Sequence, residues 1–426
     1  MPRILIATRG SFGDFHPFLG VAQVLRQRGH AVVFVTNAHN LDGICKEGFD
    51  AHAFDAHDAL TDAPRPETAG LPIDGSSRGS QRMLRRLGGQ LLAEYTLIHR
   101  LARSADMLVG AQTSLALPLV ARVLQRPWVF AAVSPMAFLS MDDPPYVHGL
   151  RTVRRGGPLP DWLRRACMHL LRFATAQNIL GYRPLEKRLG LEPRHPLFEA
   201  RYSPHGNLAL FSSLLAAPQA DWPVPVVPCG FTFFTPQGNA PEDAALADFL
   251  AAGPPPVVFT LGSVSRASPR GFYRHAMAAC AALGLRAVLV KKTSVDLGPL
   301  PDTVFAANFA PYAQLFAQAR AVVHHGGVGT IAQCLRWGQP QLVVPLALDQ
   351  FDNAFRTQAL GCARVLPFGQ VNTERLTAEL QALLADPAPT HRAQHLARAM
   401  AQEHGAEVAA DAIERLCPSP AASTYS

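Results

Sequence analysis

Cysteine is scarce in this chain of 426 residues, and its seven cysteines are scattered, odd in number and never spaced as C-x-x-C. A disulfide framework normally needs an even set at short spacings. The distribution therefore indicates reduced thiols in a cytoplasmic protein.

Long apolar runs are also lacking, since no stretch approaches the roughly 18 to 20 apolar residues that a membrane-spanning helix requires. The apolar start, Met1 to Ala7, is followed almost at once by Arg9 and Gly10, which is unlike a signal peptide. We expect a cytoplasmic protein that is soluble or peripheral at the inner membrane.

Charged residues make up only 17% of the chain against 48% apolar residues, which indicates a globular protein without extensive disorder. The length exceeds what one hydrophobic core usually serves, so two domains of roughly 200 residues each are expected.

Arginine supplies most of the net charge of +7 and is concentrated in two segments, Arg78 to Arg103 and Arg151 to Arg172. Apolar residues such as Trp162 and Phe173 are interleaved with the second segment. Two interpretations stay open, solvated helix faces and a contact with a membrane surface or anionic lipid. Nucleic acid is not expected, because no recognised binding motif accompanies the charge.

The dinucleotide-binding fingerprint is missing, although the chain opens as a doubly wound sheet does. Strand Arg3 to Thr8, a loop, helix Phe18 to Gly29 and strand Ala31 to Thr36 form a strand–helix–strand unit. The loop has Gly10-x-x-Gly13 instead of GxGxxG, and no acidic residue closes the second strand.

The loop offers Asp14 at the carboxyl edge of the first strand. Such an aspartate is either a helix cap or a reactive group, and the choice depends on what faces it. His16, two residues on, is a rival base.

A second glycine turn lies in the stretch from Ala319 to Ala354. The pattern predicts a buried strand ending at His324, a turn with Gly326, Gly327 and Gly329, and a helix from Thr330. A helix N-terminus with bare backbone N–H groups favours an anion, and the natural anion is a phosphate.

The strand that follows leads into an expected loop, Pro345 to Asn353, which carries Asp349 and Gln350. Carboxylate and amide groups suit sugar hydroxyls, and open α/β sheets bind ligands at this edge. A phosphate site beside a hydroxyl site suggests a nucleotide sugar. A metal at His324 and His325 is not expected, because adjacent strand residues project to opposite faces and no third ligand is suitably spaced.

The predicted fold class is therefore α/β, with two doubly wound Rossmann-like domains facing each other across a cleft. Residues 1–216 form the N-terminal, acceptor-binding domain, 217–241 a proline-rich linker and 242–395 the C-terminal, nucleotide-sugar-binding domain. A helix at 396–417 is expected to pack back on the N-terminal domain, and 418–426 form a flexible tail.

The order of four motifs resembles the family 1 inverting glycosyltransferases of the GT-B fold. These motifs are GDxxP at Gly13 to Pro17, TLGS ending at Ser263, HHGGVGT from His324, and DQFDNA from Asp349. The APQADWP linker and the DQFDNA loop are most similar to the rhamnosyltransferases that make mono-rhamnolipids.

The resemblance implies roles for the donor-site residues. His325, rather than His324, contacts the donor diphosphate, with backbone and hydroxyl donors from Gly326, Gly327, Gly329 and Thr330. Asp349 and Gln350 bind the sugar, Phe309 stacks on the nucleotide base, and Ser263 lies near the phosphates.

Asp14 matches the position of the family's general base, ahead of His16. A carboxylate suffices, because the attacking hydroxyl becomes acidic as the glycosyl carbon acquires oxocarbenium character. No metal ion or other cofactor is required.

The implied reaction moves L-rhamnose from dTDP-L-rhamnose to the hydroxyl of a 3-(3-hydroxyalkanoyloxy)alkanoate. Its partners are this nucleotide sugar, the amphiphilic hydroxy acid and, where the reaction is coupled to acceptor synthesis, an acyltransferase. Two alternatives stay open, transfer to a polyketide, peptide or terpenoid acceptor from another nucleotide sugar, and a catalytically silent partner of another transferase.

Overall fold

The computed structural model describes residues 1–55, 88–146, 181–236, 244–262, 269–291 and 295–417, and positions 85, 160, 162–163, 166–167, 169–170, 173 and 179. Ser263, the predicted tail, the start of the first arginine-rich segment and most of the second lie outside the described residues.

The first half of the chain forms a sheet of seven parallel strands. They are β1 (Arg3–Ala7), β2 (Ala31–Thr36), β3 (Asp50–Ala53), β4 (Met107–Ala111), β5 (Trp128–Ala132), β6 (Asn207–Ala209) and β7 (Val226–Pro228). Their order is β3-β2-β1-β4-β5-β6-β7, and the central strands are apolar on both faces because helices cover both.

The second half forms a sheet of six parallel strands. They are β8 (Val257–Thr260), β9 (Ala287–Val290), β10 (Val304–Ala307), β11 (Ala321–His324), β12 (Gln341–Val343) and β13 (Ala363–Val365). Their order is β10-β9-β8-β11-β12-β13, with the fully buried Val322 and Val323 in a central strand.

The longer helices of the described residues lie between and after these strands. They are α1 (Phe12–Gln27), α2 (Leu41–Lys46), α3 (Leu91–Ala102), α4 (Leu117–Leu124), α5 (Tyr182–Arg188), α6 (Ala244–Ala251), α7 (Pro269–Ala282), α8 (Tyr312–Ala317), α9 (Val328–Arg336), α10 (Asp349–Ala359), α11 (Thr373–Ala385), α12 (Ala388–Met400) and α13 (Gly405–Leu416).

The predicted pair of doubly wound sheets is confirmed. Strand order reverses between β1 and β4 in the first sheet, and between β8 and β11 in the second. Ligands of open α/β sheets bind at such switch points, beyond the carboxyl ends of the strands. Asp14 follows β1 and His325 follows β11, so both candidate residues lie at a switch point.

Two segments differ in local structure from what the sequence predicts. Val226–Pro228, inside the predicted linker, is the edge strand of the first sheet and pairs with β6. The single helix predicted at 396–417 covers the end of α12 and the whole of α13, with a break before Gly405. A Cβ atom at Gly405 would lie 2.4 Å from the carbonyl oxygen of Phe231, so α13 approaches the linker too closely for any other residue.

The last helix, α13, lies against α1 of the first half. Arg28 contacts Asp411 and Glu414 at 2.6 Å each, and His30 contacts Glu414 at 2.7 Å. The chain therefore returns from the second sheet to the first before it ends. The division into an acceptor-binding and a donor-binding domain stays a prediction.

Candidate active site

Asp14 lies in the first turn of α1, where its side chain is held by Ser11. The backbone N–H and the hydroxyl of Ser11 donate to Oδ2 of Asp14 at 2.8 and 2.9 Å. Within the described residues, Oδ1 accepts no hydrogen bond and is free to take a proton. Burial raises the pKa of the Asp14 carboxyl, and the bonds from Ser11 offset only part of that rise.

The prediction that Arg9 to Pro17 is a loop was wrong, because α1 begins at Phe12. Pro17 suggested a later start, yet it lies within the helix. The missed signal is the spacing Ser11-x-x-Asp14, a capping box that starts a helix. Asp14 is therefore both part of a helix cap and a candidate base. From the sequence alone, these two roles are alternatives.

Gly10 makes room for this carboxylate. Its φ is +118°, and a Cβ atom there would lie 2.4 Å from Oδ2 of Asp14. Only glycine meets both conditions at this position.

His16 is held among aromatic rings. Its imidazole stacks on Phe12 at 5.2 Å, meets Phe15 edge-on at 4.7 Å and contacts Phe234 at 5.2 Å. Burial lowers the pKa of His16 to about 4, so the ring is neutral at physiological pH. This packing gives His16 a structural role whether or not it assists Asp14.

The imidazole of His325 packs between two glycines, Gly262, which follows strand β8, and Gly327, two residues after the histidine. A Cβ atom at Gly262 would come within 2.4 Å of Cε1 of His325, and one at Gly327 within 2.6 Å of Nε2. Nδ1 is buried without a hydrogen-bond partner. Burial, and secondly the neighbouring His324, lower the pKa of His325 to about 3, so the ring is neutral.

His324 has a different environment from its neighbour. It is fully buried, its Nε2 pairs with Oε1 of Gln341 at 2.9 Å, and its Nδ1 accepts from the N–H of Gly326 at 3.1 Å. These bonds use both ring nitrogens, so His324 is a core residue that shapes the turn.

The turn after β11 leads into α9, which begins at Val328, two residues before the predicted start. Gly326 has a φ of +89°, and a Cβ atom there would lie 3.0 Å from the carbonyl oxygen of Gln350. Gly329 and Thr330 belong to the first helical turn. This is the predicted N-terminal anion site, with His325 beside it.

The predicted loop Pro345 to Asn353 is partly helical, because α10 begins at Asp349. Leu348, just before it, has the strained backbone angle φ +52°. Oε1 of Gln350 accepts from the N–H groups of Leu346 and Ala347 at 2.9 and 3.1 Å, so this amide oxygen shapes the loop.

Asn353 joins the two parts of the candidate donor site. Its Nδ2 donates to Oδ2 of Asp349 and to the carbonyl oxygen of Gly326, at 3.1 Å each. Asp349 is thereby held against the glycine turn. The DQFDNA motif contains this residue, but the sequence does not indicate its partner.

The packing of the two halves brings Asp14 towards the candidate donor site. A Cβ atom at Gly329 would lie 3.7 Å from Cα of Gly13, so the N-terminal turns of α9 and α1 adjoin. Burial, followed by the charge of Asp14, raises the pKa of Asp349 to about 7. The candidate base and the candidate sugar-binding carboxyl therefore share one site.

A further interdomain contact was not predicted. Arg356 of α10 contacts Asp143 at 2.6 Å and the buried Asp352 at 2.9 Å, and Asp352 accepts from the N–H of Tyr146 at 2.9 Å. Tyr146 also stacks on Phe355 at 5.6 Å. These bonds tie the loop after β5 to the helix that carries Asp349.

The linker motif APQADWP holds the other end of this loop. The carboxylate of Asp221 accepts from the hydroxyl of Ser140 at 2.7 Å and from the N–H of Met141, and Trp222 stacks on Phe138 at 4.4 Å. The APQADWP motif, which resembles that of the rhamnolipid-forming transferases, therefore holds the loop after β5 in place.

Phe309 follows β10 at the carboxyl edge of the second sheet and is 68% exposed. Its ring is thus available for stacking, and its contact with a nucleotide base stays a prediction. Ser263 lies outside the described residues, directly after Gly262.

Among the described residues, no group of three or more His, Cys, Asp or Glu side chains could hold a metal ion. None of the helices in that part of the chain has the length and apolarity needed to cross a membrane.

Known proteins resemble this chain over nearly its full length. The protein-family model described as Erythromycin biosynthesis protein CIII-like, C-terminal domain, matches residues 275–415. An O-mycaminosyltylonolide 6-deoxyallosyltransferase of Streptomyces fradiae is 31% identical over 436 residues, which covers 97% of either chain.

Solved structures share the fold at lower identity. The glycotransferase of kitacinnamycin has a TM-score of 0.71 at 23% identity, covering 98% of this chain and 99% of that one. The spinosyn rhamnosyltransferase SpnG, complexed with thymidine diphosphate, has a TM-score of 0.67 at 18% identity, covering 96% and 99%.

Proposed function

This chain belongs to the family 1 glycosyltransferases of the GT-B fold, and we propose that it transfers a sugar from a nucleoside diphosphate to an acceptor hydroxyl with inversion. The observation that carries this proposal is the proximity of Asp14 to Asp349 and the glycine turn. Asp14 lies in the helix after the first strand of one sheet, and the other two lie beside the second sheet.

In the proposed reaction, Oδ1 of Asp14 accepts the proton of the acceptor hydroxyl. The hydroxyl oxygen bonds to the anomeric carbon while the bond from that carbon to the diphosphate oxygen breaks. Ser11 holds the other carboxylate oxygen, which keeps the base oriented. The diphosphate therefore leaves from one face of the anomeric carbon, and the acceptor oxygen attacks the opposite face.

The leaving diphosphate is met by the N-terminus of α9 and by His325. Backbone N–H groups and the partial positive charge of the helix stabilise the developing anion, so the proposal requires no metal ion or other cofactor. Since His325 is neutral, it acts as a hydrogen-bond donor in this scheme.

For the acceptor, the first candidate is a hydroxyl of a polyketide-type molecule. The relative from Streptomyces fradiae is named for the glycosylation of O-mycaminosyltylonolide, and a solved structure of the same fold is a spinosyn rhamnosyltransferase. A thymidine diphosphate sugar is the proposed donor, consistent with SpnG being solved with that nucleotide.

The second candidate is rhamnose transfer to a 3-(3-hydroxyalkanoyloxy)alkanoate, giving a mono-rhamnolipid. It is favoured by exposed apolar side chains in and directly after the second arginine-rich segment, where Trp162, Leu170 and Phe173 are 70%, 69% and 67% exposed. Apolar and cationic groups together suit an amphiphilic acid.

A panel of donors and acceptors, with products identified by mass spectrometry, tests both candidates. The donors are dTDP-L-rhamnose and UDP-glucose, and the acceptors are a macrolactone aglycone and 3-(3-hydroxydecanoyloxy)decanoate. We expect a glycoside of inverted anomeric configuration from at least one pair. No glycoside and no donor hydrolysis from any pair would instead favour a silent partner protein.

A further inference from the structure

Arg201 is a buried cation without a carboxylate partner. Its residue is 7% exposed, its Nη2 lies 3.4 Å from the carbonyl oxygen of Gln112, and its Nε is enclosed without a partner. The guanidinium lies over the rings of Phe130 and Tyr202, at 5.0 and 5.7 Å. No ion pair joins it to any carboxylate of the described residues.

Another buried arginine of the same sheet edge shows the usual arrangement. Arg9 is 6% exposed and contacts Glu94 at 3.1 Å, with a further hydrogen bond to Gln90. A guanidinium keeps its charge in proteins, and a buried charge without a counter-ion is strongly destabilising. Stacking on aromatic rings offsets only part of that cost. Arg201 therefore lacks an anion that Arg9 has.

The position of Arg201 relates it to the candidate base. Gln112 directly follows β4, the neighbour of β1, and the hydroxyl of Thr113 donates to the carbonyl oxygen of Arg9 at 2.9 Å. Phe130 belongs to β5, the next strand along. Arg201 thus reaches the carboxyl edge of the first sheet about two strand spacings, or roughly 10 Å, from the end of β1, which the helix with Asp14 follows.

A second unpaired donor lies beside it. The hydroxyl of Ser134 is buried without a partner, and its backbone N–H lies 3.3 Å from Oε1 of Gln112. Gln112 therefore contacts both Arg201 and Ser134. A carboxylate, which accepts several hydrogen bonds, would satisfy both unpaired groups at once.

We propose that Arg201, with Ser134, binds the carboxylate of an anionic acceptor while the acceptor's hydroxyl faces Asp14. This inference rests on the proposed transferase function and narrows its acceptor to a hydroxy acid. In a 3-(3-hydroxyalkanoyloxy)alkanoate, seven bonds separate the hydroxyl oxygen from the carboxylate carbon, about 8 Å when extended. That length, plus a hydrogen bond at each end, is comparable with the roughly 10 Å estimated from the strand spacing.

The test compares 3-(3-hydroxydecanoyloxy)decanoate with its methyl ester, which differ only in the charge, using dTDP-L-rhamnose as donor. A charge-assisted bond predicts a kcat/KM for the acid about 10- to 100-fold above that for the ester in the wild type. Arg201→Met should bring the acid down to the level of the ester and leave the ester unchanged. Arg201→Lys should keep part of the preference.

Arg286→Met is the matched control. Arg286 also lies over an aromatic ring, Phe249 at 4.0 Å, and bonds to backbone carbonyls, but it lies in the second half, away from the site. Its loss should leave the ratio of acid to ester unchanged. Equal use of acid and ester by the wild type, or an equal loss of both in Arg201→Met and Arg201→Lys, would overturn the proposal.

A binding arm separates this inference from the transferase proposal. Calorimetry with dTDP-saturated protein should show that 3-hydroxydecanoate binds the wild type at least tenfold more tightly than its methyl ester does, and that Arg201→Lys reduces the difference. This preference without any glycoside product would support the carboxylate site while contradicting the transferase. Glycoside formation without this preference would support the transferase function and contradict the carboxylate site.

Discussion

The carboxyl group of Asp349 lies close enough to Asp14 for the charge of one to raise the pKa of the other. Burial is the larger cause and Asp14 the second, and together they bring the pKa of Asp349 to about 7. The two residues follow strands of different sheets, so only the approach of α1 to α9 and α10 produces this coupling. A sugar bound by Asp349 would therefore present its anomeric carbon near Asp14.

Replacement of the candidate base is the first prediction. Asp14→Asn should lower kcat by roughly 10²- to 10⁴-fold, the usual contribution of a general base, and leave dTDP affinity unchanged. Steady-state kinetics and calorimetry measure the two effects. His16→Gln, the control, should cost less than about tenfold, and an active Asp14→Asn variant would transfer the role to His16 or solvent.

The two adjacent histidines should respond differently to substitution. His325→Ala removes a hydrogen-bond donor beside the anion turn, so the Kd for dTDP should rise about 10- to 100-fold with little change in stability. His324→Ala leaves Gln341 and the N–H of Gly326 without their partner, so it should lower the free energy of unfolding by about 1 to 3 kcal/mol. Unchanged dTDP affinity in His325→Ala would contradict the phosphate assignment.

Gly10→Ala should displace Asp14. A methyl group there would overlap the carboxylate, so activity should fall by more than tenfold beyond any loss of stability. Gly284→Ala is the control, because Gly284 also has a positive φ, +62°, but nothing lies within 4 Å of its added Cβ. That variant should lose about 1 kcal/mol of stability and no activity.

Stability should depend on pH through Asp349. Its folded-state pKa is raised above the ordinary 3.8, so the folded chain holds a proton that the unfolded chain releases between about pH 4 and 7. The stabilisation of the folded state that the protonated carboxyl contributes is fully present below pH 4 and is lost as pH rises through 7. The slope should stay below about 1.4 kcal/mol per pH unit, because the half-buried carboxyl still meets water.

Urea denaturation between pH 4 and 8 measures this loss. Asp349→Asn should lose less stability than the wild type as pH rises, since an amide does not titrate. Asp14→Asn should lower the pH range of the transition, because one cause of the shift is gone. Identical pH profiles for all three proteins would argue against the coupling.

The contact between Asp143 and Arg356 should couple the two halves of the molecule. A double-mutant cycle with Asp143→Asn and Arg356→Met, followed by urea denaturation, should give an interaction energy of about 1 to 3 kcal/mol. The pair Arg364 and Glu379 lies within the second half, and its arginine is 43% exposed against 10% for Arg356. Its cycle should give less than about 1 kcal/mol, and equal values for the two pairs would contradict an interdomain role.

Much of the fold follows from the sequence alone. Apolar runs such as Ala321 to His324, each followed by a glycine turn and a helix, predict parallel strands with helical crossovers, because strands buried on both faces must be apolar throughout. The same local patterns place Asp14, His325 and Asp349 at strand ends. Short-range capping was harder to judge, since Pro17 obscured the helix that Ser11 and Asp14 begin.

Only the tertiary structure decided which of these residues meet. The approach of Gly329 to Gly13, the bond between Asn353 and Gly326, and the contact of Arg356 with Asp143 all join segments that are distant in sequence. Arg201 is the sharpest case, because nothing in its sequence neighbours distinguishes a surface arginine from a buried cation without a partner. Burial and pairing arise when two sheets and their loops pack together, so local pattern specifies the elements, whereas packing specifies the charges and contacts of the site.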